Sequence, residues 1–61
     1  MTHRRQDGPT PGGGAYAEIY YFDEQGNLAE EAVAVRCVIR ECAADGTLLC
    51  ETWGIAVDAV V

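Results

Sequence analysis

The chain has 61 residues, ten acids, four arginines and no lysine, giving a net charge of −6 at pH 7, and 49 % of its residues are hydrophobic. A chain this short buries only about 60 % of the surface its unfolded form exposes, and one core of that size rarely nets more than roughly 3–5 kcal/mol. Dinucleotide folds, barrels and multidomain enzymes are excluded by length, and so thin a core points to a staple, a partner or a second copy.

Residues 1–14 hold both prolines and four of the seven glycines, ending in Gly12-Gly13-Gly14. Such composition offers little apolar surface to offset backbone entropy, so a disordered tail is expected here, followed by a small β domain over residues 15–61. The tail is slightly basic through Arg4 and Arg5, whereas residues 15–61 set Arg36 and Arg40 against nine acids. The basic start has no apolar stretch behind it, unlike a secretory signal. No segment approaches the roughly 20 apolar residues of a membrane span. A cytoplasmic protein with reduced thiols is expected, and the odd number of cysteines agrees with that.

From Ala15 to Phe22 the residues Tyr16, Ile19, Tyr20, Tyr21 and Phe22 favour a strand. Asp23-Glu24-Gln25-Gly26-Asn27 and Ala43-Ala44-Asp45-Gly46-Thr47 supply two turns with a glycine available for positive φ. They match at a spacing of twenty residues, Gly26 with Gly46 and Leu28 with Leu48, as two hairpins of one turn type do. Pairing Ala43 with Thr47 sets Cys37 opposite Trp53 and Val35 opposite Ile55. One face then collects Val33, Val35, Cys37, Ile39, Leu49, Trp53, Ile55 and Val57, a stripe of period two. The predicted fold is all-β, a three-stranded antiparallel sheet of two hairpins.

The alternative is two strands with a helix over residues 28–44. Asn27 could cap it, and Leu28, Ala32, Val35, Ile39 and Cys42 recur at spacings of three and four. The β-branched Val33, Val35, Val38 and Ile39, and the like charges of Arg36 and Arg40 four apart, weigh toward strands.

The chain has no serine, and its single histidine, His3, falls in the tail, where nothing would hold it against a nucleophile. The glycine run lacks the lysine and hydroxyl of a phosphate loop. Cys37, Cys42 and Cys50 fall on different faces in the predicted register, so no metal site and no cofactor are expected. Arg36 and Arg40 near Tyr16 and Tyr20 imitate a stacking platform for nucleic acid, yet two arginines among nine acids make a poor phosphate footprint.

These exclusions lead to the expectation of a non-enzymatic, acidic protein-interaction module. Its candidate contact residues are Glu18, Asp23, Glu24, Glu30, Glu31 and Asp45, able to enter a basic groove that otherwise holds nucleic acid. The profile is similar to that of small inhibitors encoded by phages and mobile elements, anti-CRISPR proteins among them. The alternative is a homo-oligomeric assembly domain. The uncovered stripe of Val33, Val35, Ile39, Trp53, Ile55 and Val57 predicts a homodimer, with Trp53 as its core anchor.

Overall fold

The computed structural model describes residues 1–59. Four strands, β1 (His3–Asp7), β2 (Tyr16–Phe22), β3 (Arg36–Cys42) and β4 (Leu48–Ile55), pair in the order β1-β2-β3-β4, and a 3-10 turn, Ala56–Asp58, follows. Every pairing is antiparallel. The all-β antiparallel expectation therefore holds, with one strand more than expected. Residues 36–42 of the alternative helix form β3, where branched side chains pack without the χ1 restriction of a helix.

The additional strand lies inside the segment expected to be a disordered tail. β1 is wholly polar, which suits a sheet edge, and its five residues pair with Tyr16 to Tyr20. The glycine run is likewise a packed loop and not a linker. Glu41, only 7 % exposed, accepts the Gly12 amide at 2.7 Å, and the Ala15 amide donates to the Cys42 carbonyl at 2.8 Å. A Cβ on Gly14 would stand 2.8 Å from that carbonyl and from the Thr10 hydroxyl, so close approach, not flexibility, is what requires glycine there. Removing residues 1–13 would thus remove a strand.

Both turns form as their sequences suggest. Gly26 and Gly46 take φ of 84° and 92°. The Asp23 amide donates to the Asn27 carbonyl as the Ala43 amide does to Thr47, and the two glycine amides donate back to Asp23 and Ala43.

The register beyond the second turn differs from the expected one. Cys42 pairs with Leu48 as expected, but a bulge at Glu41/Cys42 leaves Leu49 as an extra residue, and the ladder resumes with Glu41 opposite Cys50. Side-chain direction alternates along a strand, so a single inserted residue reverses the face of everything after it. Trp53 consequently pairs with Val38, and Gly54 with Cys37.

The sheet has one closed and one open face. On the closed face Ile19, Tyr21 and Cys37 bury with Ala59, and Ala34, Ile39 and Ala56 pack against them. The cover comes from the β2–β3 connection and the segment after β4, tied down where the Arg4 guanidinium donates to the Ala59 carbonyl at 2.8 Å and the Ala56 amide donates to Val35. The Tyr21 hydroxyl, inside this layer, donates to Glu31 at 3.2 Å, and burial is the first cause raising its pKa.

The expected apolar stripe is therefore divided. Ile39 and Cys37 join the core, whereas Val33, Trp53, Ile55 and Val57 are exposed, Trp53 to 60 %, and Val35 is partly so. Trp53 does not anchor the core of this chain.

Candidate interaction face

The open face is assembled in rows that run across all or most of the strands. The bulge and the antiparallel register bring His3, Tyr20, Val38 and Trp53 side by side, and in the next row Arg5, Glu18, Arg40 and Glu51. A third row holds Asp7, Tyr16, Cys42 and Leu48, and at the opposite end Phe22, Arg36 and Ile55 align.

Ring contacts knit the rows together. His3 stacks on Tyr20 with centroids 4.6 Å apart, Phe22 meets Trp53 at 5.5 Å in a tilted arrangement, and the Arg5 guanidinium lies 4.0 Å above the Tyr16 ring. Such cross-strand aromatic and cation–π pairs hold side chains upright from the sheet and leave their outer edges exposed. Val38 is buried between its row neighbours.

Charge alternates along the second row. The Glu18 carboxylate accepts from the Tyr20 hydroxyl at 2.9 Å and contacts the His3 ring at 3.1 Å. The Tyr20 bond holds the Glu18 carboxyl below its ordinary range, His3 adds to that, and burial opposes it. The same bond, with burial, raises the Tyr20 pKa. Arg40 pairs with Glu51 at 3.3 Å, and the Trp53 indole donates to Glu51 at 3.1 Å. Tyr16 is raised first by burial and then by its bond to the Cys42 thiol.

Between the second and third rows lies a shallow hollow of about 190 Å³ lined by Tyr16, Glu18, Tyr20, Arg40, Cys42, Gly46 and Leu48. That is smaller than the roughly 300–1,000 Å³ usual for small-molecule sites, and it suits one protruding side chain better than an enclosed ligand. Three arginines, Arg5, Arg36 and Arg40, stand on this face against Asp7, Glu18 and Glu51. The open face is thus near neutral in a chain of net −6.

The six acids expected to form a contact surface do not share one patch. Glu18 is inside the ladder of the open face. Asp23 accepts the amides of Gln25 and Asn27 at 2.9 and 3.0 Å, and Asp45 accepts that of Thr47 at 2.9 Å, so both hold turns. Glu30 pairs with the Met1 ammonium and Glu31 with Tyr21. Asp23, Glu24, Glu30 and Glu31 nevertheless all lie between β2 and β3, at one end of the sheet. His3 and Arg5 reach this face only because β1 forms, and a wholly polar strand carries no hydrophobic alternation to mark it in the sequence.

Among the described residues no group of three or more His, Cys, Asp or Glu could hold a metal ion, and no helix is long and apolar enough to cross a membrane. Comparison with known protein families, curated proteins and solved structures finds no match to the chain.

Proposed function

We propose that the protein is a non-enzymatic interaction module that acts by occupying a protein surface with the open face of its sheet. The observation that carries this reading is the company kept by the exposed apolar groups of β4. Leu48, Trp53 and Ile55 stand at the margin of a near-neutral, aromatic and arginine-rich face, while the rest of the chain is acidic. Enrichment of aromatic residues and arginine is part of what separates interface cores from ordinary surface. Among the described residues nothing covers the open face, the side on which domains usually build a second layer.

Affinity capture from the native cell, with wild type and Trp53→Ala as baits, tests the reading. Retention of the same protein partner by both baits would move the contact away from this face.

A second reading, an inhibitor entering a basic nucleic-acid-binding groove, is favoured by the concentration of Asp23, Glu24, Glu30 and Glu31 in one connection. That contact would be steered by charge. Added salt would weaken it, since the Debye length falls from about 10 Å at 0.1 M to about 3 Å at 1 M. Binding indifferent to salt and to Glu24→Lys would dismiss it.

A further inference from the structure

We propose that the occupant of the open face is a second copy of the chain, packed face to face about a two-fold axis parallel to the strands. This deepens the interaction-module reading and rests on it. The argument comes from the order of charge in the central row: Arg5, Glu18, Arg40, Glu51, which is plus, minus, plus, minus from β1 to β4.

An axis parallel to the strands keeps each row at its own height and reverses the strand order, so β1 of one copy faces β4 of the other and β2 faces β3. A row that alternates over four strands becomes its own complement under that operation. Arg5 meets Glu51 of the second copy and Glu18 meets Arg40, each contact occurring twice. An axis across the strands instead sets each strand against itself and brings Glu18 over Tyr20, which leaves the row without opposite charges to face.

Two of the other three rows fit the same operation, while in the third Asp7 comes over Leu48 and Tyr16 over Cys42. Tyr20 comes over Val38 and His3 over Trp53, while Phe22 comes over the Arg36 guanidinium, a cation–π pairing. The interface is isologous, as closed dimers require, and aligned sheet packing accommodates it with a rotation of about 30° from twist. Closing it leaves no charge of the central row unmatched, since within each chain Arg40 already pairs with Glu51, Arg5 with Asp7, and Glu18 with His3 and Tyr20. Removing one partner of a buried pair is what costs most, because it leaves an uncompensated charge. The acids between β2 and β3 remain outside the row that closes.

The test uses two single reversals, Glu18→Arg and Arg40→Glu, on the full chain, with sedimentation equilibrium from low to several hundred micromolar and far-UV circular dichroism to check folding. Wild type is expected to dimerise. Each variant alone sets like charges face to face, two cations in the first and two acids in the second, and is expected to remain monomeric. Mixed in equal amounts, they restore every opposite-charge contact, and a heterodimer is expected to return.

Should either variant fail to fold, Trp53→Ala serves in its place, since the exposed ring can be removed without opening the core; loss of the dimer is then expected. Wild type that stays monomeric throughout overturns the proposal. So do folded variants that dimerise singly, as pairing through the β4 edge would allow, or a folded mixture that stays monomeric. A monomeric wild type whose capture of another protein still depends on Trp53 overturns the second copy alone and leaves the interaction-module reading standing.

Discussion

Replacing Ile19 or Trp53 by alanine separates the two faces of the sheet. Ile19 is fully buried in the closed layer, and Ile→Ala in a core costs about 2–5 kcal/mol. Against the roughly 3–5 kcal/mol available to a chain of this size, Ile19→Ala is expected to be largely unfolded at room temperature. Trp53 is larger, but 60 % of it already meets solvent. Its removal forfeits the ring contact with Phe22 and partial burial, together about 1–2 kcal/mol.

The measurement is a urea titration followed by far-UV circular dichroism, because Trp53 is the only tryptophan and its fluorescence would vanish with the mutation. At a slope of about 1 kcal/mol per molar urea, Trp53→Ala moves the midpoint down by about 1–2 M at high dilution. The wild-type midpoint should rise with protein concentration if folding is linked to association, and that of Trp53→Ala should not. Equal losses for the two variants at high dilution would show that Trp53 belongs to the core, and the bulged register would be wrong.

Other residues give sharper local tests. Gly14→Ala forces a Cβ against the Cys42 carbonyl and is expected to cost about 1–3 kcal/mol in chemical denaturation, as overpacking does. Glu41 is held below the ordinary carboxyl range, first by its bond from Thr10 and then by the Gly12 amide. A lowered folded-state pKa contributes stability above the unfolded value and loses it as pH falls through the folded one. The melting temperature should therefore drop as pH is lowered below about 4.5, and Glu41→Gln should flatten that dependence. Asp23→Lys removes the acceptor of two turn amides and is expected to cost about 1–3 kcal/mol; Glu24→Lys, exposed in the same turn, should stay within about 0.5 kcal/mol. Equal melting temperatures for those two variants would deny Asp23 its role in the turn.

Local chemistry was enough to specify β2, both glycine turns and the two strands joined by the second turn. Branched and aromatic residues select the extended backbone, and a glycine after an aspartate or glutamine admits the positive φ that closes such a hairpin. Three features depended on contacts between distant residues. β1 has no apolar side chain of its own and exists because β2 offers an unpaired row of amides and carbonyls. Gly12 and Gly14 are loop residues because Glu41 and Cys42, about thirty positions later, come against them.

The bulge decided most. Arithmetic from the turn alone paired Cys37 with Trp53, and one unpaired residue in β4 sent Trp53 to the opposite face, beside His3, Tyr20 and Val38. Period-two patterning constrains which residues share a face only while the ladder is unbroken. Where an exposed edge strand carries apolar residues at both parities, as β4 does with Leu48 and Leu49, hydrophobicity cannot choose between registers. In the bulged register Trp53 pairs with Val38 and meets Phe22 on the open face, contacts between residues far apart in the sequence.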